Sequence, residues 1–567
     1  MKCMTSRILT CLVALGSASA CLNLDVENEN DPTTRDVLTT PKAIESLVRT
    51  SFIWWWHSGN NRNPTAAMQT AADGTSSSWA NYGMRDVSSE PRVRFNNSAT
   101  HTYREVNEWS WGWTSDALSS VLEGFRAASH PDMQSRMVAD LGEVGVARFT
   151  AFGKLIQALT LSSLATIFDR GWPVTSVEDL EEIGEAEMYP AIMEKAMGLY
   201  EEFLQLAQGA EWVVPNHWVG CKNDWTVGRA VEIARAYRAL YAAAVARSPE
   251  ERASVDWAAI RADAIAGRTR FVGALAFNAN CNTAWTGTKH PVLLFPDWSR
   301  SDYRWIGPAD ASGGWEKWIA SDLNDRTMFR IDTDDRRITA GNPESDGKYM
   351  QFQLVCPFRL DRGIYHCSYY RDSRWDYILE EQLTTDWPLI DTAVFDFLVA
   401  EADYRSGDMT SAMEIVNQYR VNSGELPPFT NPSGVAPGGS RCVPQNADGS
   451  CGDLWAALKY EKQMEVHGYD IASSHYVDDR GWGDLVAGTW EQLPIPGSEL
   501  LILGIPNYTF PNAGGGRAAD AGGAAGVIGL NRDSFLDEDE IRERMAINRA
   551  RQQTELVIRD ELGNGWK

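Results

Sequence analysis

Long stretches of this chain carry apolar residues at helical spacing with almost no breakers, which makes a helical scaffold the first expectation. Ala117 to Ala128 and Val144 to Ile167 are amphipathic in this way. Tyr189 to Ala207, Val227 to Ala246 and Trp257 to Ala266 follow the same pattern, as helices with one buried face do. Two more helices are expected at about 388–406 and 409–422, joined by the tight Ser406-Gly407-Asp408. That pair spans about 34 residues, the length of a tetratricopeptide unit. Ala400, Ala402 and Ala412 would let its backbones approach closely. Thr40 before Pro41 reads as a cap-then-proline helix start, with Ala43, Ile44, Leu47, Val48 and Phe52 at helical spacing behind it. Several helix-turn-helix pairs are the expected scaffold.

The helical period lapses in two regions. Residues 58–112 are Gly, Ser, Asn, Pro and aromatics without a sustained period, and 270–385 are similar. Stretches of this length without periodicity are usually functional excursions from a scaffold. Residues 350–370 suggest a short hairpin, and 425–452 read as a Pro/Gly-rich loop before a helix at about Leu454 to Val466. Trp109, Trp111 and Trp113 alternate as on one face of an extended segment. A Gly/Ala-rich link and an acidic helix are expected over 511–567.

The first residues point to export. Lys2 and Arg7 precede an apolar core, Ile8 to Gly16, that is too short to span a bilayer. Ala18-Ser19-Ala20 then offers a cleavage site directly before Cys21, where a bacterial lipoprotein carries its lipid. Ala18 stands where the usual lipobox has Leu, and the three small residues would equally suit an ordinary signal peptidase, leaving free secretion as the alternative. The expectation is a signal peptide over 1–20, lipid on Cys21, a tether over 21–40 and a body over 41–510. Of nine cysteines, Cys3 and Cys11 leave with the signal segment and Cys21 takes lipid. Cys221, Cys281, Cys356, Cys367, Cys442 and Cys451 remain, an even set that reads as disulfides in an oxidising compartment. Cys442 with Cys451 and Cys356 with Cys367 flank short loops, and Cys221 with Cys281 is the remaining pair. The spacings are not those of zinc ligands, and no metal or cofactor is expected.

A net charge of -25 repels phosphate backbones and argues against nucleic acid. The chain has 23 tryptophans, many in polar surroundings. Flat rings beside hydroxyl and amide groups suit ligands with apolar faces and polar edges, as sugars have. Most of these rings are still expected to be packing residues.

Several segments resemble the SusD/RagB family of nutrient-binding outer-membrane lipoproteins. The start Cys21-Leu22-Asn23-Leu24-Asp25, followed by an Asp-Pro turn and the Thr40-Pro41 helix start, looks like the family's mature N-terminus. Ile167 to Val174 resembles its aromatic-Gly-Asp-x-Pro turn in altered order. Tyr460 to Gly468 and Asp479-Arg480-Gly481-Trp482-Gly483-Asp484-Leu485 resemble its Glu-Arg-x-x-Glu-Leu and Asp-Leu-x-Arg-Trp-Gly segments. Leu493-Pro494-Ile495-Pro496 through Glu499 matches its Pro-Ile-Pro-x-x-Glu. The resemblance implies a mainly α fold, with about four tetratricopeptide-like helix pairs as a scaffold and long irregular loops and a few short strands on one side. It implies a binding protein without catalysis that sits on a SusC-like TonB-dependent outer-membrane transporter and presents an oligosaccharide, or in some relatives a peptide. Asp25, Glu27 and Glu29 look like the signal that sends such lipoproteins to the cell exterior.

No catalytic motif stands against that reading: there is no His-Glu-x-x-His, Gly-x-Ser-x-Gly, phosphate loop or dinucleotide fingerprint. An α-helical glycoside hydrolase with a carboxylate pair is the alternative, and a structural adhesin the third reading. The first candidate for ligand binding is the loop Asp73 to Arg85: Trp79 and Tyr82 as ring platforms, with Asp73, Asn81 and Arg85 supplying hydrogen bonds. The second is Trp298, Tyr303 and Trp305, with Asp302 beside them. Either set could instead line the transporter interface, where Trp, Tyr and Arg also gather. Asp478, Asp479 and Asp484 read as caps of turns rather than a cation site.

Overall fold

Thr40 opens the first helix as its position before proline predicts: its Oγ1 accepts a hydrogen bond from the Ala43 N–H at 3.2 Å. The computed structural model describes residues 38–510 apart from 177–178, 180–183, 275–291 and 382–384. The expected signal peptide, most of the tether with Cys21, Cys281 and the expected C-terminal link and helix lie outside the described residues. Helix α1 (Pro41–Asn60) buries Ile44, Val48, Phe52, Trp55 and Trp56. A short α2 (Arg62–Ala71) follows, and α3 (Glu105–Ser129) packs along α1.

Two readings of the irregular segment are corrected here. Residues 58–112 contain α2 and the first two turns of α3, so the segment is only partly loop. The three alternating tryptophans are helical, not extended. What decides it is the spacing of the buried set: Asn107, Trp111, Thr114, Leu118 and Val121 fall three and four apart, and Trp109 and Trp113 flank that stripe half-buried.

The scaffold continues with α4 (Pro131–Ile167), bent at Gly142 where φ is +71°, and α5 (Tyr189–Leu206). Next come α6 (Val227–Ala244) and α7 (Trp257–Ala266), capped by Thr226 and Asp256. Gly267 ends α7 where a Cβ would come within 2.3 Å of the Ala236 backbone, so the approach of α7 to α6 requires glycine. Then follow α8 (Thr392–Ser406) and α9 (Met409–Asn422), with Gly407 at φ +88° in the turn between them. α10 (Leu454–Val466) packs on both, and α11 (His475–Trp482) lies against the end of α6. The pairs α1/α3, α4/α5, α6/α7 and α8/α9 make the expected four. None of the described helices is long and apolar enough to cross a membrane.

Three buried arginines tie helix ends together. Arg247 donates to the carbonyls of Ala165 at 2.7 Å and Phe168 at 2.8 Å. Arg480 on α11 donates to Thr166 at 3.1 Å and Ala244 at 2.6 Å. Arg252 reaches Ala243 at 3.0 Å while ion-paired to Glu401 and Asp478. These carbonyls belong to the last turns of α4 and α6 or the residue just after, where the helix leaves them without internal partners.

The loop-rich half has its own core, built on Tyr303, Trp305, Trp315, Trp318, Ile331 and Met350. Its strands are short and paired in twos. The expected hairpin forms between Met350–Phe352 and Tyr370–Asp372, with Met350 opposite Asp372. Cys356–Cys367 and Cys442–Cys451 are bonded as expected; the expected pair Cys221–Cys281 lies partly outside the described residues. Beneath α10, buried Arg337 is ion-paired to Asp335 at 2.7 Å, Glu461 at 2.6 Å and Glu465 at 2.9 Å.

Candidate ligand-binding site

Two candidate segments that are over two hundred residues apart in sequence meet through a minimal ladder. Thr75–Ser76 pairs antiparallel with Arg300–Ser301, Thr75 opposite Ser301. That register lays the loop after Ser76 along the loop before Arg300. Ser77 Oγ then donates to the Trp298 carbonyl at 2.7 Å, and Trp79 Nε1 donates to the Asp297 carbonyl at 2.8 Å. The result is a stack: the Trp79 and Trp298 rings lie 5.5 Å apart at 24°. Phe295 closes one side at 4.7 Å from Trp298, and Tyr82 the other at 6.1 Å. Trp79, Tyr82, Phe295 and Trp298 are all half-buried, so the cluster is anchored yet reachable.

The loop is held in a tight turn. Tyr82 and Gly83 adopt φ of +59° and +74°, and the Asn63 amide donates to the Tyr82 carbonyl at 3.1 Å. Positive φ at a bulky tyrosine is a strained conformation that surrounding contacts must impose. Arg62 lies over the Tyr82 ring at 5.6 Å. Asn81 is exposed on the same turn, and Arg85 is paired with Asp86 at 2.8 Å.

The remaining candidates lie inside. Tyr303 and Trp305 belong to a single helical turn capped by Asp302, whose Oδ1 accepts from the Arg304 N–H at 2.8 Å. Tyr303 is fully buried and stacks on Phe329 at 4.1 Å; Trp305 stacks on His467 at 4.1 Å. One helical turn entering the second core carries both rings with it, away from the Trp298 surface. Asp73 is buried too, ion-paired to Arg92 and to Arg304 at 3.2 Å. Arg304 also faces Glu90, which accepts from His366 at 3.0 Å. Burial raises the Asp73 carboxyl despite both arginines. Burial would also raise Glu90, but the His366 hydrogen bond and the Arg304 charge outweigh it and hold the group at about 2. Asp302 is pushed up to about 7 by burial and by the charge of Asp73. This charged layer fastens the loop from below and leaves the rings for contact.

Sequence reasoning missed Phe295 and Arg62. The only available signal was the nearness of Phe295 to Trp298 in the chain. Asp478, Asp479 and Asp484 are each engaged by other side chains: Asp478 pairs with Arg252 and Lys462, Asp479 accepts from Gln463 at 2.7 Å, and Asp484 pairs with Lys459. Among the described residues no group of three His, Cys, Asp or Glu is placed to hold a metal ion.

No family model matches the chain, and no curated protein matches it. Solved structures do. A protein of Bacteroides vulgatus aligns at TM-score 0.46 and 12% identity, over 79% of this chain and 89% of its own. One of Bacteroides thetaiotaomicron aligns at 0.45 and 12%, over 79% and 90%. One of Bacteroides fragilis aligns at 0.44 and 13%, over 82% and 98%. All three are SusD superfamily proteins. Identity this low transfers no ligand and no partner.

Proposed function

We propose that this chain is a lipid-anchored binding protein of the outer cell surface that holds an oligosaccharide on the Trp79–Tyr82–Trp298 platform and passes it to a SusC-like TonB-dependent transporter. The observation that carries the reading is the half-exposed stack of Trp79 on Trp298, assembled from two distant loops on a rigid base. Rings fixed in this way meet the apolar face of a sugar without ordering cost, and Asn81 beside them offers an amide to hydroxyls. Each such ring contributes on the order of 1 kcal/mol beyond area burial, so a platform of three gives useful affinity. Loops on a helical scaffold are the usual place for such a site. Anchoring through Cys21 and the hand-over to a transporter rest on the sequence resemblance.

The test is calorimetric titration of the soluble form beginning at Leu22 against neutral and acidic oligosaccharides and short peptides. Saturable glycan binding without product release is expected, weakened about tenfold or more in Trp79→Ala and in Trp298→Ala. Released product would replace this reading with the glycoside hydrolase. Peptide binding alone would make the chain a peptide-presenting relative, and no binding at all would move the rings to the transporter interface.

A further inference from the structure

The platform loop runs on into a second feature that the reading above does not use. Directly after Tyr82, residues Gly83, Arg85, Asp86 and Val87 form one wall of a cavity of about 350 Å³, within the size range of small-ligand sites. Phe95 and Trp490, their rings 5.9 Å apart, give it an apolar floor. Its charged lining is Arg85, Arg94 and Arg362 against the single carboxylate Asp86. Asp86 is already engaged by Arg85 at 2.8 Å and faces His101 at 3.7 Å. Arg94 is exposed, and among the described residues no carboxylate lies within ion-pairing distance of Arg94 or Arg362. The neighbour of Arg362, Asp361, is taken by Arg359 at 3.1 Å. Arg362 Nη1 instead donates to the Ser78 carbonyl at 3.3 Å, which ties the cavity wall to the residue before Trp79.

Two guanidinium groups lining one cavity, neither with an ion-pair partner among the described residues, are out of keeping with a chain of net charge -25, whose overall field repels anions. Their planar donors match carboxylate and sulfate geometry. We infer that this cavity takes the acidic group of a uronate or sulfated sugar in the same oligosaccharide that stacks on Trp79, so that the ligand is an anionic glycan. The inference rests on the platform being a glycan site; it adds the ligand's charge and the residues that read it. Arg94 and Arg362 hold the anion, Tyr103 and His101 line the cavity beside them, and the platform holds a neighbouring ring.

The test compares tetragalacturonate with its fully methyl-esterified form, which keeps the ring and removes the charge, and adds a chondroitin sulfate tetrasaccharide and maltotetraose. Binding is measured by calorimetry on the soluble chain beginning at Leu22. At least one acidic probe is expected to bind at least about tenfold more tightly than the uncharged ones, since hydrogen bonds to charged groups are the stronger kind. That advantage is expected to shrink as salt rises. Arg94→Gln and Arg362→Gln should each remove most of it, and Arg94→Gln should leave the affinity for the uncharged probes and the melting temperature unchanged. Arg94→Glu should invert it. Trp79→Ala should weaken charged and uncharged probes alike. Uncharged probes that bind as tightly as acidic ones, or an acidic preference that survives both arginine variants, overturn the inference and leave the glycan platform standing. Binding by none of the four, with or without charge, removes both.

Discussion

The helical half from Pro131 to Ala266 and the loop-rich half from Val292 to Glu381 are held together by different forces. In the first, α4, α5 and α6 satisfy their own backbone except at their ends and bury aliphatic faces, with Phe152, Ile156, Leu159 and Leu161 fully enclosed in α4 alone. In the second, backbone groups lack a long ladder, so side chains answer them. Asp310 accepts from the N–H groups of Asp332 at 2.9 Å and Trp315 at 3.1 Å. Tyr370 Oη donates to the Pro343 carbonyl and accepts from the Ile331 N–H, both at 2.8 Å. Arg300, Arg337, Asp302 and Asp335 are buried among them. A buried backbone polar group must find a partner. Where secondary structure does not supply one, polar side chains have to come inside. The proposed platform is built on that second kind of interior.

The comparison breaks most visibly at one residue from each half. Phe152→Ala should cost about 3–5 kcal/mol through the cavity it leaves, and chemical denaturation should give the same loss at pH 5 and pH 8. Arg337→Met should cost a similar amount, about 3–5 kcal/mol, because Asp335 stays buried without its cation and Glu461 keeps only Arg420, at 3.5 Å. Its loss should shrink as the pH falls and those carboxylates take up protons. Equal pH dependence in the two variants would mean that the halves are not held differently.

A smaller effect is expected from the staple in the loop half. Replacing Cys356 and Cys367 together by serine frees an 11-residue separation and should cost about 2–3 kcal/mol. Proteolysis of the native state should then cut first between the two positions and spare α4 to α7.

The smallest effect concerns Asp302. Its carboxyl is raised from 3.8 to about 7, first by burial and then by Asp73. A carboxyl raised on folding supports the fold fully below its unfolded value and loses that support as pH rises through the folded one. Between about pH 4 and pH 7 the parent should therefore lose stability as pH rises. Asp302→Asn keeps the cap on Arg304 and should remove this slope, giving a gain of about 1 kcal/mol at pH 8. A melting series from pH 4 to pH 8 decides it.

What could be read beforehand follows the same division. The starts of α1, α6 and α7 and the whole of α10 were legible because a cap or a sustained period marks them. α2 was not: Asn61, Asn63 and Pro64 look like loop chemistry at its start. α3 is longer than its sequence suggests, because tryptophans two apart imitate a strand while the helix is specified by the residues between and beyond them. Within the candidate site the ring types were legible and their partners were not. Thr75–Ser76 and Arg300–Ser301 form a ladder only two residues long, without hydrophobic alternation to announce it. Tyr303 and Trp305 cannot be placed from sequence for the converse reason: a helix of one turn has no period to show which way its rings face.

The arginines that close the ends of α4 and α6 bear on how such a chain can change over time. Arg247, Arg252 and Arg480 grip carbonyl oxygens, and every residue type provides that oxygen. Ala165, Thr166, Phe168, Ala243 and Ala244 can therefore be exchanged for other residues of fitting size without loosening the grip. Constraint gathers on the three cations and drains from the positions they touch. A lineage joined in this way can lose nearly all its recognisable letters there while its helices keep the same mutual arrangement. Similarity would then be sought with better result in short arginine-bearing segments, such as Asp479-Arg480-Gly481-Trp482, than along the helices they join.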